Sequence, residues 1–233
     1  MKTQLNVATL AVLGLSFVFV AGLRADEPAK AKPTQEATVT ADQALKRLKD
    51  GNARFVNDNP KEAELGSKKR IELAQGQRPI AVVLTCADSR AAPEIVFDKG
   101  LGTLFVIRVA GNVGGPEVYA SIEYALAELK TPLVVVLGHT SCGAVGAALK
   151  GKEQPSDNLK KLVSLIHTGS DLAKDKDAAL DGAIRNNVLY QTQLLTRRST
   201  IIKDFAANGR VTILPAVYDL KTGVVNWLEL PKK

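Results

Sequence analysis

The chain is poor in the residues that most often carry chemistry, with two cysteines, two histidines, one methionine and one tryptophan among 233 residues. Two cysteines allow one disulfide at most. Beyond residue 20 no apolar run approaches the roughly 20 residues of a bilayer span, so no stable membrane span is expected once the N-terminus is processed. The formal charge is +7, but the basic residues form no cluster interleaved with aromatics, which excludes the usual nucleic-acid-binding pattern. No internal repeat is visible. The rest is ordinary for a globular protein: 45% hydrophobic and 24% charged residues, in a length that suits one medium domain with a full core.

The N-terminus departs from that average. Leu5 to Val20 is almost unbroken apolar sequence after Lys2, and "GLRA" (22–25) offers a small residue before Asp26. This pattern predicts a secretory signal over residues 1–25 and a periplasmic or secreted protein; an uncleaved anchor is the alternative. Loss of Lys2 and Arg24 with that segment takes the formal charge from +7 to +5. Export makes a disulfide the first reading of two cysteines. Residues 26–39, "DEPAKAKPTQEATV", are polar with two prolines and predict a flexible tether, leaving residues 40–233 as a single domain.

Within that domain Thr40 is an N-cap signal for a helix carrying Leu45, Leu48, Phe55 and Val56, with Gly51 marking a break. A basic helical stretch follows around Ser67 to Ala74. Four apolar runs then appear: "IAVVLT" (80–85), "TLFVIRV" (103–109), "LVVVLG" (133–138) and "VTILPAVYD" (211–219). Continuous rather than alternating apolar strands predict burial on both faces in a parallel sheet. Helical patterns lie between them, including Pro116 to Leu129 with its stripe Val118, Ile122, Leu126 and Leu129. The expected fold is α/β: a mainly parallel central sheet flanked by helices, with an N-terminal helical arm and a C-terminal hairpin turning at Lys221–Gly223.

Both cysteines sit just past buried strands, where α/β sheets place their chemistry. Cys86 lies in "LTCADSR" (84–90), and His139 and Cys142 lie in "GHTSCGA" (138–144). The spacing puts His139 and Cys142 on one face of a turn at a helix start, with Cys86 supplied by a neighbouring strand. Two thiolates and an imidazole form a zinc ligand set that leaves a fourth position free. The residues alone leave open a Cys86–Cys142 disulfide and a pair of inert buried thiols. Asp88 reads either as a fourth ligand or as a carboxylate held by Arg90. Held that way it could only accept hydrogen bonds, and so would orient a zinc-bound hydroxide. A loop-bracing salt bridge is the plainer alternative.

Cys-x-Asp-x-Arg after a buried strand, then His-x-x-Cys-Gly, is similar to the β-class carbonic anhydrases. The resemblance spans roughly residues 40–228 and includes "GNARFV", "RVAGN" (108–112), "SIEYAL" (121–126) and "AVYDLKTG". It implies one Zn2+ held by Cys86, His139 and Cys142, with Asp88 and Arg90 as a catalytic dyad. It implies reversible hydration of carbon dioxide to bicarbonate and a proton by zinc-bound hydroxide, in a homodimer or a multiple of one. It places a small apolar pocket for carbon dioxide at the dimer interface, with Gln77, Phe105 and Tyr124 as its residues, and gives the Gly143 N–H to bicarbonate. Without the family Phe105 and Tyr124 read as core aromatics and Gln77 as a turn residue. Relatives that hydrolyse carbon disulfide or carbonyl sulfide share the ligands and form the alternative. A regulatory tryptophan used by some members in the N-terminal helical region has Phe55 in its place here. His167 reads as a surface residue rather than a proton shuttle.

Overall fold

A computed structural model describes residues 39–61, 65–151, 153–170 and 172–231. The proposed signal and all but the last residue of the tether lie outside them. Among the described residues no helix is long and apolar enough to cross a membrane.

Five strands form one sheet: β1 (Ala81–Thr85), β2 (Leu104–Arg108), β3 (Leu133–His139), β4 (Thr212–Tyr218) and β5 (Val225–Trp227), in the order β2-β1-β3-β4-β5. The first four are parallel, and β4 and β5 form the antiparallel C-terminal hairpin. The helices are α1 (Ala41–Val56), α2 (Ser67–Leu73), α3 (Pro93–Val96), α4 (Pro116–Ala127), α5 (Gly143–Lys150), α6 (Asp157–Ser164), α7 (Lys176–Arg198) and α8 (Thr200–Ala207).

Side chains of a strand alternate between faces, and both faces here are covered. Val82, Leu84, Val134 and Val136 pack with Ile122 and Leu126 of α4, Val145 of α5, Val188 and Leu195 of α7 and Ile202 of α8. Ala81, Val83, Leu133, Val135 and Leu137 pack on the other side with Ala44 and Leu48 of α1, Val96 of α3 and Phe97. Two cores on one sheet explain why β1 and β3 read as unbroken apolar runs and are buried at every residue.

Two expectations need correction. β2 is an edge strand, and its residues 104–107 are only half-buried because no strand among the described residues pairs with its outer side. Gly51 does not break α1; the helix runs through it to Val56. A side chain there would place its Cβ 1.8 Å from the Phe97 carbonyl oxygen, so glycine permits close approach of α1 to the end of α3. Beside it, buried Asn52 donates to the Val96 and Gly223 carbonyls and accepts the Val225 N–H, tying α1 to both α3 and the hairpin.

Candidate metal centre

Adjacent parallel strands β1 and β3 end side by side, with Thr85 opposite Leu137, so the residues that leave them share one space. Cys86 follows β1, His139 ends β3, and Cys142 is the N-cap of α5. The two sulfurs and an imidazole nitrogen all lie within 4.8 Å of one another, and all three residues are buried. The sulfurs are 4.0 Å apart and both cysteines are free, which removes the disulfide. Tetrahedral zinc with bonds of ~2.3 Å would hold two sulfurs ~3.8 Å apart, close to what is seen.

His139 gives the sharper test. Its Nδ1 lies 2.9 Å from the Thr140 carbonyl and donates to it, which leaves Nε2 as an unprotonated acceptor. That Nε2 is buried and has no hydrogen-bond partner. An orphaned buried nitrogen is costly unless something binds it, and a metal between the two sulfurs would satisfy it. The donor set fits zinc.

Charge at the donors is shared. Hydrogen bonds from the Cys142 thiol and the Gly111 N–H, with the His139 imidazole close by, lower the pKa of Cys86 against the cost of burial. Cys142 is pushed up, because Cys86 holds its proton and burial disfavours a second anion. Burial opposes charge on His139, but the Cys86 thiolate and the Thr140 carbonyl outweigh it and raise its proton affinity. The same negative surroundings favour a cation, so metal and protons compete for these atoms.

Asp88 and Arg90 flank the donors. Arg90 binds the carboxylate at both oxygens, Nε to Oδ1 at 2.9 Å and Nη2 to Oδ2 at 2.7 Å, and the Arg90 N–H adds a third bond to Oδ1. These contacts hold Asp88 well below the usual carboxylate range. Oδ2 also lies 3.8 Å from His139 Nε2, so the carboxylate faces the donor set. Gly143, the first residue of α5, is exposed beside Cys142, with open space where a side chain would project.

The pocket residues are not brought to the donors within one chain. Phe105 of β2 pairs with Val82 of β1, four residues before Cys86, or ~13 Å down the strand from it. Its ring meets Tyr124 at a 6.3 Å centroid distance, and Tyr124 is 49% exposed. Phe105 is partly buried and packs against the core, as the plainer reading has it, whereas Tyr124 is not a core aromatic. Gln77 is exposed and precedes β1, at the end of the strand opposite Cys86. His167 is exposed as expected and stacks on Tyr190, with ring centroids 4.4 Å apart.

Sequence reasoning passed over several supporting residues. Arg108, at the end of β2, donates to the carbonyls of Cys86 (3.2 Å) and Asp88 (2.6 Å) and so braces the loop between ligand and dyad. Gly111 donates its N–H to Cys86 Sγ at 3.3 Å. Thr140 fixes the Leu220 N–H through its hydroxyl while its carbonyl holds His139. Arg108 and Gly111 stand in "RVAGN", whose position after an apolar run was the one available signal.

Fold and site together define an α/β protein with a Cys₂His group able to hold a metal at the carboxyl ends of a parallel sheet. The family model for carbonic anhydrase matches residues 81–225. The carbonic anhydrase of Mycolicibacterium smegmatis is 43% identical over 189 residues, covering 78% of this chain and 90% of that relative. The solved β-carbonic anhydrase of Coccomyxa, in complex with acetazolamide, aligns with a TM-score of 0.64 at 26% identity, covering 79% of this chain and 86% of that one. Two tetrameric β-carbonic anhydrases from Sordaria macrospora share the fold, with a TM-score of 0.64 at 20% identity over 82% of this chain and 100% of the solved one. The chain belongs to the β-carbonic anhydrase family, and it is a carbonic anhydrase. Carbon dioxide hydration is the general activity of that zinc-dependent family.

Proposed function

We propose that this chain hydrates carbon dioxide reversibly at one zinc ion held by Cys86, His139 and Cys142. The observation that carries the reading is the orphaned, buried His139 Nε2 set among two free sulfurs, with the Asp88 carboxylate facing it. Zinc, when bound, supplies a Lewis acid that makes water nucleophilic near neutral pH. The chain's own residues do the rest. Asp88, kept ionised by Arg90, can only accept, so it takes the hydrogen bond of the attacking water and aims an oxygen lone pair at carbon dioxide. The Gly143 N–H, at the start of α5, offers a donor to the bicarbonate formed.

The carbon dioxide pocket we place between two copies of the chain, with Gln77, Phe105 and Tyr124 serving a partner's metal centre. Their separation from Cys86 within one chain and the half-exposed apolar edge at β2 support this. The working form is then a homodimer or a multiple of one, as in the tetrameric Sordaria macrospora relatives. Residues 1–25 act as a secretory signal and 26–39 as a tether to the catalytic domain, which puts the enzyme in the periplasm or outside the cell.

Stopped-flow hydration of carbon dioxide by the protein, before and after one equivalent of zinc, tests the reading. Activity that appears with zinc supports it; zinc uptake without hydration across pH 6.5–9, roughly the range in which such water ionises, defeats it. Carbon disulfide offered to the same preparation tests the sulfur-substrate alternative.

A further inference from the structure

Helix α7 carries two buried amides, Asn187 at 0% and Gln191 at 1% exposure, on an inner face that also buries Ala183, Ile184, Val188, Thr192 and Leu195. Burying amides is unfavourable unless every donor and acceptor is met, so their partners show what they are for. Asn187 Nδ2 donates to the Gly111 carbonyl at 2.8 Å, and Oδ1 accepts the His167 N–H at 3.1 Å. Gln191 Oε1 accepts the Gly114 N–H at 3.0 Å, and Nε2 donates to the Leu165 carbonyl at 2.8 Å. Two side chains thus hold four backbone groups in two loops.

One of those loops reaches the metal ligands. Gly111 is gripped at both of its peptide groups: its carbonyl by Asn187, its N–H by Cys86 Sγ. It sits at φ +71°, and a Cβ there would come 2.8 Å from Ile166 Cδ1, so the position favours glycine on both counts. A glycine in that conformation is the most mobile link in the loop unless something fixes it. Asn187 is the only side chain among the described residues shown bonding the Gly111 carbonyl.

We propose that Asn187 is a positioning residue for the metal centre, aiming the Gly111 N–H at Cys86 Sγ from a helix that supplies no ligand. The inference rests on the zinc reading above. An N–H bond to a thiolate draws electron density from sulfur and orients its remaining lone pairs, so its loss changes both affinity and the electronic character of the metal–sulfur bond.

The experiment compares the full chain with Asn187→Leu, Asn187→Ser and Thr192→Val. Thr192 is equally buried on α7, but its hydroxyl bonds only within the helix, to the Val188 carbonyl. Zinc affinity is measured by competition with a chromophoric chelator, and the cobalt-loaded forms give the sulfur-to-metal charge-transfer band. Both Asn187 variants should bind zinc roughly 10–100-fold more weakly and shift the band to lower energy, with Thr192→Val within about twofold of the parent. Unchanged affinity and band in the Asn187 variants would overturn the proposal. So would equal weakening in all three, which would mark a general loss of stability. Should the Asn187 variants not fold, parent protein labelled at nitrogen and loaded with an NMR-active cadmium isotope decides the matter. Through-bond coupling between the metal and the Gly111 amide proton supports the link, and its absence overturns it. A parent chain that takes up no zinc would instead defeat the reading on which the inference stands.

Discussion

The carboxyl ends of β1 and β3 and the outer edge of β2 lie in the same sheet and are built on opposite terms. At the strand ends, Arg108 braces two carbonyls, Arg90 fixes a carboxylate, and the Thr140 carbonyl and the Gly111 N–H hold two of the ligands. Along β2, Leu104, Phe105, Val106 and Ile107 are half-exposed, and no strand among the described residues pairs with its outer side. One region is complete within a single chain; the other is unfinished. The difference teaches that the candidate metal ligands depend on intrachain register, whereas the surface we propose for carbon dioxide would depend on a second copy.

The largest effect is expected where the complete region is cut. Cys142→Ser should abolish zinc retention, seen as metal content after dialysis, and lower hydration at least ~10³-fold, since a site with three protein donors would lose one of its two thiolates. Asp88→Asn replaces an obligate acceptor with a group that can also donate. It should keep zinc bound and lower kcat/KM for hydration by roughly 10²-fold, a separation of chemistry from metal binding. A variant that loses both together would place Asp88 among the ligands instead.

The unfinished region gives the next effect. Val106 belongs to neither core, so Val106→Lys leaves the fold intact and puts a charge on the open edge. Light scattering should show a shift to monomer, and hydration should fall by about tenfold or more with zinc content unchanged. Full activity in a monomer would return the pocket to a single chain.

The smallest effect is expected at a carboxylate that belongs to neither region. Burial opposes ionisation of Asp98, but the Lys61 N–H and the Arg54 guanidinium outweigh it and hold the carboxyl below its ordinary value. A carboxyl lowered on folding stabilises the fold above its unfolded pKa of ~4, and that contribution is lost as the pH falls through the lower folded value. Asp98→Asn should therefore flatten the acid limb of an unfolding-free-energy profile. The cost near neutral pH should be about 1–3 kcal/mol, the usual worth of a hydrogen-bonded charge. Metal uptake should not change.

Much of the site could be read without coordinates because its signal is local. Cys-x-Asp-x-Arg and His-x-x-Cys each lie within one turn, and the apolar runs before them state that they follow buried strands. The edge position of β2 was not legible, since an apolar run looks the same whether or not a neighbour covers it. Gly51 misled for a related reason: glycine at a close helix contact and glycine at a helix break carry the same letter. Asn187 and Gln191 had no motif to announce them, because their partners are mostly backbone groups remote in sequence.

Composition, strand-like runs and two short motifs by themselves determined the α/β class and which thiols and imidazole could act as ligands. Those properties follow from side-chain chemistry and from periodicities of a few residues. The tertiary structure alone decided that β1 and β3 are neighbours in a register that ends them together, and that His139 presents a bare Nε2. It also decided that Phe105, Tyr124 and Gln77 stand apart from the metal ligands. Such facts depend on how distant segments pair, and pairing is settled by burial on both faces of the sheet rather than by any stretch of chain read alone.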